Sequence, residues 1–355
     1  MSPNDKSVHS FEALVRAAAE NPRALLGIAR TLLARGERVR ARELAACATV
    51  LAPLDPEILS LNAEIVSADI PGWHFSIVRD EIRNAAYNEA LTRAIRPGMR
   101  VLDIGAGTGL LAMMAARAGA AEVVSCEMNP TIAAAAERIV AANGFSDRIR
   151  VIAKHSSDLD VEKDLSGRAD LLVSEIVSNN MLSQSVLPVH EQAVRHLLKP
   201  GAQIIPARGI VRAALAKSDK WPERRMGLVD GFDLSPFNAL SPHRISIPVG
   251  DDRLVLKSEA ADLTDFDFQS GGPFPERRAQ TTIEVSEDGA NGIIQWISLD
   301  MDDHGRYENR PSPGATSCWA LQFYPFPETM RPIAGERLNV FCAHDRWTLR
   351  IWASR

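Results

Sequence analysis

The chain has 355 residues, room for two or three domains, and its 46% hydrophobic and 24% charged content is that of an ordinary soluble globular protein. A formal net charge of −5 argues against nonspecific binding to nucleic acid or a membrane surface. No apolar run approaches the ~18 residues a membrane helix needs.

The opening MSPNDKSVHSFEAL has no basic stretch followed by an apolar core, so no secretory leader is expected and a cytoplasmic location is. Cys47, Cys126, Cys318 and Cys342 stand far apart without CxxC spacing, which fits neither a disulfide framework nor a metal site.

Residues 1–68 are expected to form a small all-α domain. Leu25, Ile28, Ala29 and Leu32 line one helix, Gly36 sits at a turn, and Ala41, Ala45 and Ala48 make the small-residue face of a second helix that Pro53 ends. That spacing is tetratricopeptide-like, although a plain helical cap would score in part. Arg35, Arg38, Arg40 and Arg42 read as a solvated helix face. The following GWHFSIVRDEIRNAAYNEAL reads as one amphipathic helix. Its Arg83 is either a surface arginine or a bidentate partner for a carboxylate, with His74 in the same segment.

Residues 69–206 alternate strands and helices: MRVLDIG, GLLAMMAARAG, EVVSCE, TIAAAAERIVAANG, IRVIAK, ADLLVSE, HEQAVRHLLKPG and AQIIP. That order predicts an α/β, doubly wound, mostly parallel sheet. Residues 207–355 lose helical periodicity and carry short β runs separated by Gly, Pro, Asp and Asn turns. They predict an antiparallel barrel or sandwich, interrupted by an inserted arm near 219–242.

The glycine loop in VLDIGAGTGLLA brings backbone close to a ligand at the carboxyl edge of the sheet. Asp103 stands at the strand end before Gly105, Gly107 and Gly109. Glu127 and Met128 end the next strand twenty-odd residues on, where an acidic group suits ribose hydroxyls. Ser157 and Asp158 in KHSSD suit an adenine amino edge. A ligand with an adenosine, an ammonium and no phosphate fits this set, and S-adenosylmethionine is such a ligand. The competing reading is a dinucleotide fold with a degenerate loop.

WHFSIVRDEIRNAAY, GMRVLDIGAGTGLLAMMAARAGA, SCEMN, KHSSD, SEIVSNNMLSQSVLP, GFDLSPFN and SCWALQFYPF run in order over roughly 70–355. Together they resemble the protein arginine methyltransferases, most closely the type III branch, which makes only monomethylarginine. The resemblance implies a class I (Rossmann-like) methyltransferase domain, a β-barrel substrate domain and an arm that commonly builds a homodimer. It also implies that His74, Arg83, Asp103, Gly105, Glu127 and Asp158 hold the cofactor.

In that family two glutamates nine residues apart clamp the substrate guanidinium. Glu175 matches the first, and Gln184 stands where the second should be. The usual Thr-His-Trp reads Ser317-Cys318-Trp319 here. Glu175 is therefore the expected catalytic carboxylate, the alternative being a strand-end carboxylate satisfied by a helix N-terminus. Gln184 can still accept an N–H bond but brings no charge. Cys318 and Trp319 join Glu175 and Gln184 as expected substrate contacts, Cys318 as a space-filling thiol. The lost negative charge tilts the expectation toward free L-arginine or a small arginine derivative, which carries its own carboxylate. Peptide arginine is the alternative, and a noncatalytic adaptor the second.

Overall fold

The computed structural model describes residues 13–68, 70–183 and 185–355. The chain forms two compact units, Met1–His74 and Phe75–Arg355.

In the first unit, α1 (Pro22–Ala34), α2 (Arg38–Leu51) and α3 (Pro56–Ser67) pack around Leu25, Leu26, Ala29, Leu32, Ala41, Ala45, Ala48, Ile58 and Ile65. The alanines on α2 let its backbone approach α1 closely. Asn21 and Asp55 cap α1 and α3 with side-chain oxygens, each followed by proline at the first helical position. Gly36 takes φ +80 at the turn, the left-handed region that glycine enters without strain.

The run expected as one helix through residues 72–91 is two: α4 (Trp73–Ile77) and α5 (Glu81–Ala94). The reason is local. The Asp80 side chain accepts from Arg83 N at 2.9 Å, so Asp80 is an N-cap and the helix must start there.

The second unit begins with a five-stranded parallel sheet. In chain order come β1 (Arg100–Ile104), α6 (Leu110–Arg117), β2 (Glu122–Cys126), α7 (Pro130–Ala142), β3 (Ile149–Ile152), β4 (Ala169–Ser174), α8 (Val186–His196) and β5 (Leu198–Ile205). The strand order is β3-β2-β1-β4-β5. The order reverses between β1 and β4, and in open α/β sheets the crevice beyond that switch point takes the ligand. Asp103 pairs with Val173, and Ile104 with Ser174, so the glycine loop and Glu175 leave adjacent strands side by side. Helix α8 starts four residues earlier than expected, with Pro188 in its first turn, where a missing N–H costs nothing.

Twelve strands follow: β6 (Arg208–Ser218), β7 (Leu228–Val229), β8 (Phe232–Asp233), β9 (Ile245–Ile247), β10 (Leu254–Leu256), β11 (Ala261–Asp267), β12 (Arg277–Glu284), β13 (Gly292–Asp300), β14 (Arg306–Glu308), β15 (Leu321–Pro325), β16 (Arg337–His344) and β17 (Leu349–Ser354). They build a seven-stranded and a three-stranded antiparallel sheet, with β7 and β8 as a separate hairpin. Strand β13 is buried along almost its whole length. One core runs from Leu172, Val173, Met181 and Leu182 of the parallel half into Val211, Phe268, Ile297 and Trp319. The two halves of this unit therefore hold each other in register. Among the described residues no helix is long and apolar enough to cross a membrane, and no group of three or more ligating side chains is gathered for a metal.

Candidate active site

The site is built at the carboxyl ends of β1, β2 and β4. Arg83, on the first turn of α5, and Glu175, just past β4, are 92 residues apart in sequence. Arg83 Nη2 donates to Glu175 Oε2 at 2.8 Å. Their side chains are 4% and 6% exposed, which settles the question left open for Arg83: it is a buried cation facing a carboxylate. Arg83 Nη1 donates to Asn84 Oδ1 at 2.7 Å, and the guanidinium lies 5.1 Å from the Tyr87 ring centroid. The Tyr87 hydroxyl donates to Ser174 O at 3.0 Å, tying α5 to the strand end that presents Glu175.

Burial is the largest influence on Glu175 and pushes its carboxyl up to about 7. Arg83 pulls it back, while Asp103 and Asp80 push it further up. Glu175 Oε1 and Arg83 Nε are buried without a partner among the described residues. Buried charged groups in that state are set to receive one.

Asp103 is fully buried, and burial raises it to about 6 against the hydrogen bond from Ser125 Oγ at 2.6 Å. Its Oδ1 has no partner among the described residues. Gly105, Gly107 and Gly109 all take positive φ. At Gly105 a Cβ would meet Ile176 Cγ2 at 2.8 Å, so the absence of a side chain keeps the loop against the Glu175 segment. Glu127 accepts from Gly107 N at 3.2 Å and Asn129 N at 2.9 Å, which fixes the loop across two strands. Met128 is 71% exposed. Ser157 Oγ donates to Asp158 Oδ1 at 3.1 Å, both on the exposed side of a single 3-10 turn after β3. His74 closes the first unit with its ring stacked on Trp73 at 3.8 Å. Gln184 lies outside the described residues.

Cys318 and Trp319 come from the antiparallel half. The Cys318 thiol is raised far above its ordinary range, first by burial and then by Glu175 and Asp80. It is a packed thiol and no nucleophile. Trp319 is buried, its Nε1 donating to Val177 O at 3.3 Å, so it backs the segment after Glu175. Asp80, Tyr87, Asn179 and Tyr307 were not singled out from sequence. Only Asp80 left a signal there, as an N-cap residue three positions before Arg83.

A Rossmann-like sheet with a glycine loop, an acidic β2 end and no phosphate cradle defines an S-adenosylmethionine-dependent methyltransferase. The donor set fits that cofactor: a buried cation, an unpartnered buried carboxylate oxygen and a glycine loop whose Gly105 has no room for a Cβ. A family model described as ribosomal protein L11 methyltransferase (PrmA) matches residues 88–217. The chain is 37% identical over 315 residues to an arginine N(omega)-methyltransferase of Streptomyces achromogenes subsp. streptozoticus, covering 87% of each chain. It is 32% identical over 305 residues to protein arginine N-methyltransferase 7 of Danio rerio, covering 77% of this chain and 44% of that protein. The chain thus spans less than half the length of that second relative. Among solved structures, the Trypanosoma brucei PRMT1 enzyme-prozyme complex with AdoHcy superposes with a TM-score of 0.69 at 21% identity, over 81% of this chain and 100% of that one. Arabidopsis thaliana protein arginine methyltransferase 10 gives a TM-score of 0.63 at 18% identity, over 78% and 95%. At those identities the likeness speaks for the fold alone. The chain belongs to the arginine N-methyltransferase family, and S-adenosylmethionine is its methyl donor.

Proposed function

We propose that the chain methylates a guanidino nitrogen of free L-arginine or a small arginine derivative, giving the N-omega-monomethyl product. The observation that carries this reading is the charge of the acceptor loop. From Glu175 to Pro188 the sequence is EIVSNNMLSQSVLP, with Glu175 as its single charge. One carboxylate neutralises one guanidinium and leaves little field to repel the α-carboxylate of a free amino acid. The Streptomyces relative, similar over most of both chains, supports the same choice.

The geometry supports the following residue roles. Arg83 would hold the cofactor's carboxylate through its fork. Asp103 Oδ1 would take the amine, Glu127 the ribose hydroxyls and Ser157 and Asp158 the adenine edge, while Gly105, Gly107 and Met128 would line the cradle. His74 is carried as a cofactor contact by the family resemblance alone. The bound cofactor supplies an electrophilic methyl group on a sulfonium. Glu175 accepts N–H bonds from the guanidinium, localises electron density on the attacking nitrogen and orients it for in-line approach. A carboxyl raised to about 7 is also basic enough to take up the released proton near neutral pH. Gln184 would accept one further N–H bond. Cys318 shapes the pocket wall, and Trp319 backs the loop.

The arm carries Leu228 at 78% exposure, Phe232 at 69%, Phe237 at 61% and Leu240 at 74%, an apolar set that supports a homodimer. A second reading, peptide arginine, is supported by the first unit, where Val50 and Leu54 are 79% and 89% exposed on a helical scaffold of the kind that grips peptides. The deciding experiment gives the protein labelled S-adenosylmethionine with free L-arginine or with an arginine-rich peptide and reads products by mass spectrometry. Methylated free arginine beside an inert peptide supports the first reading. Methylated peptide alone refutes it.

A further inference from the structure

The segment bearing Cys318 and Trp319 is joined to the start of α5 by a continuous run of hydrogen bonds. Trp319 N donates to Ser317 Oγ at 3.0 Å. Ser317 Oγ lies 2.7 Å from the Tyr307 hydroxyl. Tyr307 donates to Asp80 Oδ2 at 3.0 Å, and Cys318 N donates to the same oxygen at 2.9 Å. The other Asp80 oxygen caps the helix at Arg83 N. The direction of the run is fixed. A carboxylate only accepts, so the single Tyr307 proton goes to Asp80 and the Ser317 proton goes to Tyr307. Burial first, and Asp80 after it, hold the Tyr307 phenol well above its ordinary range, so it stays a donor at every working pH. Tyr307 is 2% exposed, and its ring meets Trp319 edge-on at 5.3 Å and 66°. From Trp319 the contact continues to Val177 O, and Ala320 N donates to Asn179 Oδ1 at 3.0 Å, both in the loop after Glu175.

We propose that Tyr307 is a positioning residue of the acceptor pocket: its hydroxyl, donated to Asp80 and fed by Ser317, latches the Cys318–Trp319 segment onto the helix that carries Arg83. Three elements must keep their spacing for transfer to occur: the Arg83 helix, the Glu175 loop and the wall at Cys318. The parallel sheet fixes the first two through Tyr87 and Ser174. Tyr307 fixes the third to the first. One donor at position 318 is a backbone N–H, which any residue but proline would keep, and the Cys318 thiol adds a side-chain contact to the same carboxylate. Such a chain of polarised hydrogen bonds is stiffer than its members alone.

The inference rests on the methyl-transfer reading but not on the choice between free and peptide arginine, since kinetics are taken with whichever acceptor the wild-type chain uses. Tyr307→Phe keeps the ring on Trp319 and removes only the hydroxyl. KM for the acceptor should rise about tenfold, the scale of one buried hydrogen bond, with kcat within about threefold and cofactor affinity within about twofold. Ser317→Ala should move KM in the same direction by less. Amide exchange at Cys318 and Trp319 should speed up in Tyr307→Phe by about tenfold or more. That readout needs no turnover, so failure of the latch and failure of the functional reading are distinguishable. Unchanged exchange overturns the latch whatever the activity. Faster exchange with an unchanged KM, or with a KM that rises only where the variant begins to unfold, makes the contact merely structural and overturns the positioning role.

Discussion

Glu175→Gln tests the electrostatics of the pocket without any substrate. The carboxyl of Glu175 sits at about 7 in the folded chain against an ordinary 4.5. A buried acid with a raised pKa favours the protonated folded state. Its contribution is therefore fully present below pH 4.5 and is lost as pH rises through about 7. At ~1.4 kcal/mol per unit, the two values give a loss of roughly 2 to 3 kcal/mol between pH 5 and pH 8. Glutamine has no proton to lose. Arg83, left facing an amide, stays charged throughout this range and adds only a constant. Asp103 titrates in both proteins and largely cancels in the difference. Denaturant unfolding of the ligand-free wild type and variant, measured at intervals from pH 5 to pH 8, should show the variant gaining on the wild type by roughly 2 to 3 kcal/mol as pH rises. A difference that stays flat would mean that Arg83 keeps Glu175 ionised and that burial is not the dominant influence. The same group predicts that wild-type kcat/KM climbs with pH through about 7, because the guanidinium needs the ionised carboxylate, and that Glu175→Gln is inactive at every pH.

Gly105→Ala should weaken cofactor binding by tenfold or more, since φ of +87 and a Cβ 2.8 Å from Ile176 Cγ2 both oppose it; calorimetry giving wild-type affinity would remove Gly105 from the cradle. Glu127→Ala should also weaken the cofactor, by losing the ribose contact and the bond from Gly107 N; unchanged affinity would contradict that placement. Gln184→Glu adds a second charge to the acceptor loop and should shift the ratio of kcat/KM values toward peptide arginine. An unmoved ratio would mean charge does not set the substrate. Leu228→Asp with Phe232→Asp should yield a monomer by light scattering if the arm's apolar side chains build a dimer, and an unaltered mass would place the interface elsewhere.

The parallel sheet was legible because its signals are local. Apolar runs end in Gly105, Glu127 and Glu175, and helical stretches of suitable length separate them, so each candidate group is marked by the strand it terminates. Arg83 was only half legible. Its sequence context allowed a surface arginine, and only the fold, by bringing residues 83 and 175 to 2.8 Å, makes it a buried cation. The split between α4 and α5 was missed because the apolar spacing runs on through residues 73–90. The deciding fact was one hydrogen bond from Arg83 N to Asp80, which periodicity cannot see.

Cys318 shows a subtler limit. Read as a letter, it is a departure from Thr-His-Trp and a space-filling thiol where the family has a histidine. In the folded chain the docking at 318 is made by its backbone N–H on Asp80, with the thiol beside it, while the hydroxyl that completes the contact comes from Tyr307, eleven residues upstream on β14. A side chain can change at such a position and still leave one anchor in place, because the backbone donor belongs to every residue except proline. What the substitution alters is the volume and polarity of the wall beside Glu175. The wall's position is held by Tyr307 and Asp80, two residues that no motif in the sequence connects.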